Sequence, residues 1–151
     1  MSLLLASDFA RKIATVRAVA SAEGIAFEVT QAWRPVEVQE ELLACWNDPT
    51  NDYECRKRRG IVAQPAKPGW SYHNWARAID FKVLAKPSNM SLAEASKRVG
   101  VIAEEEGLRY GGPGSVQDKF DYDVVHIDDG KAYTIYTARS LFDKNDLVEV
   151  M

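Results

Sequence analysis

Apolar residues recur at three- and four-residue steps through Leu5, Phe9, Ile13, Val16 and Val19 or Ala20. That period predicts an amphipathic helix over residues 2–23, stopped by Gly24. Residues 25–31 alternate and favour β-structure, which predicts a strand ending near Ala32, Trp33 and Arg34. Pro35 suits a first helical turn, so a second helix is expected over 36–46. Alternation returns over 78–84, with Ile79, Phe81 and Val83 on one face of a strand and Asp80 and Lys82 on the other. Ser91 and Glu94 have capping-box spacing ahead of a helix with Leu92, Ala95, Val99 and Ile102 on its apolar face, ending at Gly107. Beyond the glycine-rich residues 111–114, residues 122–127 read as a strand, 132–137 as another, and 138–142 as a helical turn. Helices and short strands mixed without regular βαβ alternation predict an α+β fold, a small antiparallel sheet flanked by helices.

Residues 47–70 break this pattern. Asn47, Asp48, Pro49 and Asn51 form turns, and Pro65, Pro68 and Gly69 punctuate the far end. A long loop with at most one short helix is expected, and such loops are often functional. Arg56, Lys57, Arg58 and Arg59 read first as a solvated face and second as a contact for an anionic surface. Cys45 and Cys55 read as two unpaired thiols, with a disulfide as the alternative in an oxidising compartment. Neither lies in a CxxC pair, which argues against a thiolate zinc site.

The chain has 151 residues, enough for a single domain (1–151) with its own core and too few for a separate wall-binding domain. Lys and Arg number 19 against 22 Asp and Glu, so there is no basic excess to suggest nucleic acid. No apolar run approaches the about 20 residues of a membrane span, so stable membrane insertion is not expected. Residues 1–8 lack the basic and apolar regions of a secretory leader. The expectation is a monomer made in the cytoplasm that needs another route to any target outside it.

The chemistry centres on two histidines, His73 and His126, each near carboxylates. A catalytic zinc takes three protein ligands and keeps a fourth position for water. His73, Asp80 on the polar face of its strand, and His126 are an available set, and two imidazoles with one carboxylate suit zinc. Ser71, His73, Ala76, Ala78 and Asp80 follow a pattern that resembles SxHxxGxAxD, the signature of the VanY-like zinc D-alanyl peptidases. Thr30, Trp33, Arg34 and Gln39 are similar to that family's T-x-G-[YF]-R-S-x-x-x-Q segment. Ala66 to Gly69 and Gly107 to Gly112 resemble its phage endopeptidase branch, and Asp123 with His126 falls where the family has [DE]-x-x-H. Four segments in order cover about residues 28–128.

The resemblance implies a single hedgehog/D,D-peptidase-like domain that binds Zn2+ through His73, Asp80 and His126. It implies Asp123 as general base and Arg34 as the cation beside the scissile carbonyl. Ser71 and Trp75 are implied as supporting or substrate-binding residues. The implied partner is the peptidoglycan stem peptide, cut most readily at the L-alanyl-D-glutamate bond. The implied site of action is the cell wall in the periplasm, after release through a holin-type pore. D-alanyl-D-alanine carboxypeptidase activity is the alternative, and a non-catalytic zinc-stabilised module of a phage particle is another. Three positions depart from the pattern. The usual Gly of the first motif is Ala76, which fits a negative φ, whereas a positive φ predicts a shifted zinc loop. The usual Pro before the second His is Val125, and the usual aromatic–acidic pair after it is Ile127 and Asp128. A regular strand also puts Asp123 and His126 on opposite faces, so the implied pairing needs a bend there.

Overall fold

The structure, a computed structural model, describes residues 3–48, 52–61, 64–111 and 125–150, with backbone alone at 52 and 53. Helix α1 (Ser7–Ala22) buries Phe9, Ile13, Val16 and Ala20, the stripe that the sequence shows. Each large side chain in it contributes roughly 1.5–3 kcal/mol by leaving water. Strands β2 (Ala26–Gln31) and β3 (Ala78–Ala85) pair antiparallel, with Val29 opposite Phe81 and Phe27 opposite Val83. Helix α4 (Leu92–Glu105) starts at Ser91, whose side chain accepts the Glu94 N–H, and buries Ala95, Val99, Ile102 and Ala103. Strands β4 (Arg109–Tyr110) and β5 (His126–Asp128) complete an antiparallel sheet of order β2-β3-β5-β4. Ile79, Phe81 and Ile127 join the residues of α1 and α4 in one core. The fold is α+β, an antiparallel sheet flanked by helices.

Helix α4 approaches β4 closely at Gly100. A Cβ there meets three atoms of the Tyr110 ring at 2.1–2.3 Å, far inside the ordinary 3.4–4 Å contact. Glycine inside a helix is unfavourable by propensity, and this close approach is why it stands here.

The structure corrects three expectations. Residues 4–6 are not helical: β1 (Leu4–Ala6) pairs with β6 (Leu147–Glu149), and the helix begins only at Ser7. Ser7 donates its N–H and its hydroxyl to Asp146 at 3.3 and 2.7 Å, so a distant carboxylate caps α1. Residues 132–137 hold no strand; Thr134 caps helix α5 (Ile135–Leu141) by accepting the Thr137 N–H. The strand expected at 122–127 is described only from His126, and residues 122–124 lie outside the described residues.

The third correction concerns the cysteines, which are bonded: Cys45 on α2 (Val36–Asn47) joins Cys55 on α3 (Asp52–Arg59), Cα atoms 5.7 Å apart. That separation falls within the range that a disulfide spans. The basic run falls in the last turn of α3, where cations suit the helix dipole. Arg56 lies 3.9 Å over the Trp46 ring and donates to the Trp46 carbonyl, and Arg59 pairs with Glu41 at 3.3 Å.

Candidate metal centre

His73 lies in a short 3-10 helix (Tyr72–Trp75) that the sequence caps at both ends. Ser71 Oγ accepts the His73 N–H at 3.2 Å, and Asn74 Oδ1 accepts N–H groups of Gly69 and Ser71 at 3.1 and 3.2 Å. Ser71 therefore holds the loop in place. At the other end Ala76 has φ 61° and ψ 31°, the left-handed conformation that glycine favours. The negative φ expected of an alanine is not found, and the conformation costs about 1–2 kcal/mol. Ala76 is held there by its surroundings: it is fully buried, and its carbonyl accepts the Ala6 N–H at 2.9 Å.

Asp80 projects from the polar face of β3 and stands opposite His126 on β5. Its Oδ1 is 3.3 Å from His73 Nε2 and 3.4 Å from His126 Nδ1. The two imidazole rings are 5.3 Å apart, and the three donor atoms lie within 4.8 Å of one another. Nitrogen and oxygen ligands at about 2.0–2.1 Å from one tetrahedral zinc stand about 3.4 Å apart, so this trio fits such an ion. The far nitrogen of each ring is also engaged. His73 Nδ1 faces the Ala32 carbonyl at 2.8 Å, and His126 Nε2 faces Asp128 Oδ2 at 2.7 Å. Asp128 is fully buried, takes two bonds from the Arg109 guanidinium at 2.7 and 2.8 Å, and accepts the Gly130 N–H at 2.8 Å.

The electrostatics favour a cation at the centre. Burial pushes the His126 imidazole down, but Asp128 and Asp80 outweigh it and hold the pKa up, at about 10. Burial pushes Asp80 up, but hydrogen bonds and charge from His126 and His73 leave it well below the usual carboxylate range. Asp128 is likewise raised by burial and lowered further by His126 and Arg109.

Arg34 enters from the segment after β2, its N–H bonded to the His73 carbonyl at 2.8 Å. Its guanidinium is held by Gln39 Oε1 at 3.0 Å and by Gln31 Oε1. Burial lowers its pKa, and the nearby Asp80 charge opposes that. Gln39 is itself buried and donates to the Ala66 carbonyl at 2.7 Å. Trp75 donates to the Gly69 carbonyl at 3.0 Å and packs on Phe142, lining a groove of about 490 Å³ with Trp33 and Pro35. The general base expected at Asp123 lies outside the described residues.

The structure thus brings together His73, Asp80, His126 and Arg34, with Ser71 behind His73. Sequence reasoning overlooked the support from Gln31, Arg109 and Gly130, and placed Asp128 in the pair after the second histidine without giving it a role. Gln39 and Asp128 did carry a signal, since each occupies a position of the family's motifs.

A family model described as VanY, D-alanyl-D-alanine carboxypeptidase, matches residues 2–114. Among curated proteins, no relative matches. Solved structures with the same fold include the vancomycin-resistance D,D-pentapeptidase VanY of a VanB-type cassette, a mutant in complex with Zn(II). It is 18% identical, with a TM-score of 0.55, over 91% of this chain and 78% of that one. VanYB in complex with D-alanine-D-alanine is also 18% identical, with a TM-score of 0.54, over 91% of this chain and 76% of the other.

Proposed function

Since the chain belongs to the VanY family of D-alanyl-D-alanine carboxypeptidases, we propose that it is a zinc-dependent peptidase of the peptidoglycan stem peptide. The observation that carries this reading is the spacing of His73 Nε2, Asp80 Oδ1 and His126 Nδ1, which suits one tetrahedral ion with a position left open. Zinc, when bound, supplies Lewis acidity and lowers the pKa of water to about 7. The family's name and the D-alanine-D-alanine bound to VanYB support the terminal D-alanyl-D-alanine bond as the scissile one. The resemblance of residues 107–112 to the endopeptidase branch favours a second reading, the L-alanyl-D-glutamate bond.

In either reading the chain's own residues divide the work. A carbonyl gains negative charge as it is attacked, and Arg34, fixed by Gln31 and Gln39, is a cation already in place to meet it. A guanidinium suits this because it stays charged and donates several bonds in a rigid plane. Asp123 is the proposed base, taking a proton from the attacking water and returning it to the leaving amine; this role rests on its sequence position. His73, Asp80 and His126 hold the ion, and Ser71 steadies the loop beneath His73. The protein is read as one catalytic domain that reaches its substrate at the cell wall. No helix among the described residues is long and apolar enough to cross a membrane.

A muropeptide digest with zinc-loaded protein, read by mass spectrometry, tests the proposal. Release of a lone C-terminal D-alanine supports the carboxypeptidase. New amino termini on glutamate assign the endopeptidase instead. No cleavage of several wall chemotypes by protein holding one zinc overturns the peptidase reading and leaves a metal-stabilised module.

A further inference from the structure

We infer that Arg109, Asp128 and Gly130 form a clamp that fixes the His126 ring with Nδ1 turned to the metal centre, and so sets the affinity for the metal. The inference rests on the proposed reading of His126 as a ligand and adds the residues that position it. A histidine offers two nitrogens, and the partner of one decides which is free to bind. Here the two rings use opposite nitrogens. His73 gives its Nδ1 side to the Ala32 carbonyl and turns Nε2 inward, while His126 gives Nε2 to Asp128 and turns Nδ1 inward.

A carbonyl oxygen alone orients a ring; a carboxylate also raises the basicity of the nitrogen across from it. That carboxylate must itself be held. Asp128 Oδ2 is shared between His126 Nε2 and Arg109 Nη2, and Oδ1 between Arg109 Nε and the Gly130 N–H. The fork allows Asp128 almost no rotation, and its complete burial keeps solvent from competing. Gly130 makes room for it, because a Cβ there meets the Arg109 guanidinium at 2.5–2.8 Å.

The neighbouring pair Arg77–Asp129 is an internal comparison. It is also buried, with Nη1 2.8 Å from Asp129 and Nη2 3.0 Å from Asp8, yet these bonds do not reach a proposed ligand. Both pairs tie the fold together; only Arg109–Asp128 ends on a metal-centre nitrogen.

The test uses the full chain. On zinc-loaded wild type, nitrogen NMR of the two imidazoles, the chain's only histidines, each assigned by correlation to its own backbone, is expected to show His126 with metal at Nδ1 and a proton at Nε2. Competition titrations are expected to show zinc affinity about 10–100-fold weaker in Arg109→Met and Asp128→Asn. Arg109→Lys recovers part of it, since lysine restores charge without the fork. Arg77→Met, the control for a lost buried pair, loses stability and keeps the wild-type affinity. Zinc on His126 Nε2, or undiminished affinity in folded Arg109→Met, overturns the clamp while leaving a zinc-binding, peptide-cleaving wild type untouched. If Asp128→Asn does not fold, the ring assignment in the wild type decides. A wild type that binds no zinc overturns the clamp and the metal-centre reading together.

Discussion

Replacing Gly100 by alanine sets two effects of opposite sign against each other. Alanine is about 1 kcal/mol better than glycine inside a helix, and Gly100 lies inside α4. Against that, the new methyl arrives 2.1 Å from the Tyr110 ring, and ordinary contact begins at 3.4 Å. The ring or the helix must give way by 3.4 − 2.1 = 1.3 Å. Tyr110 is 1% exposed and stands on a strand paired to β5, so it has no solvent to retreat into. Overpacking of a tight core costs about 1–3 kcal/mol, and a shift above 1 Å belongs at or beyond the upper end. The net expectation is a loss of about 2 kcal/mol or more, which for a chain of this length lowers Tm by at least roughly 4–8 °C. Thermal unfolding followed by circular dichroism measures it. A Tyr110→Ala background should remove most of the penalty, because the two sites share one contact. A Gly100→Ala protein that melts higher than wild type refutes the steric account and leaves helix propensity as the ruling term.

Two further predictions follow from the ion pairs and the disulfide. Burial raises the Asp8 carboxyl, but the Arg77 hydrogen bond and charge bring it below its ordinary 3.8. Its contribution is therefore full above about pH 4 and fades as pH falls through the lower folded value. Tm measured from pH 6 to pH 2 should drop less steeply in Asp8→Asn, and an unchanged slope would falsify the assignment. The disulfide closes a separation of 10 residues, worth about 3 kcal/mol in the chain-entropy estimate, and α3 exposes most of its charged surface. Reduction should release α3 before the core melts, read as early amide exchange at 54–59 with β3 still protected; simultaneous exchange of both sinks this account.

What the sequence made legible was local. The alternation over 78–84 placed Asp80 on the polar face, and Ser71, His73 and Asp80 carried a recognisable spacing. Ser91, Glu94 and Gly107 marked the ends of α4 because caps are written within a few residues. What stayed hidden was non-local. Leu4 and Leu5 fit a helix equally well until residues 147–149 are known to lie beside them. The bond from Asp128 to Arg109 needs the β4–β5 register, which periodicity does not carry. Ala76 was legible only in part, for a different reason: the motif's glycine signals a positive φ, and only the buried surroundings show that an alanine is kept there.

The pairing of β1 with β6 bears on how the chain is made. Residues 4–6 leave the ribosome well before residues 147–149 and find their partners only once those have emerged, at a synthesis rate of roughly 5–20 residues per second. Until then the first turn of α1 lacks the Asp146 carboxylate that caps it. The edge of β1, which also supplies the Ala6 N–H to the turn behind His73, stays open during that interval. A nascent chain therefore carries an unfinished buttress under its metal loop from the time that loop emerges until residues 147–149 follow it. Full order at that loop waits on β6.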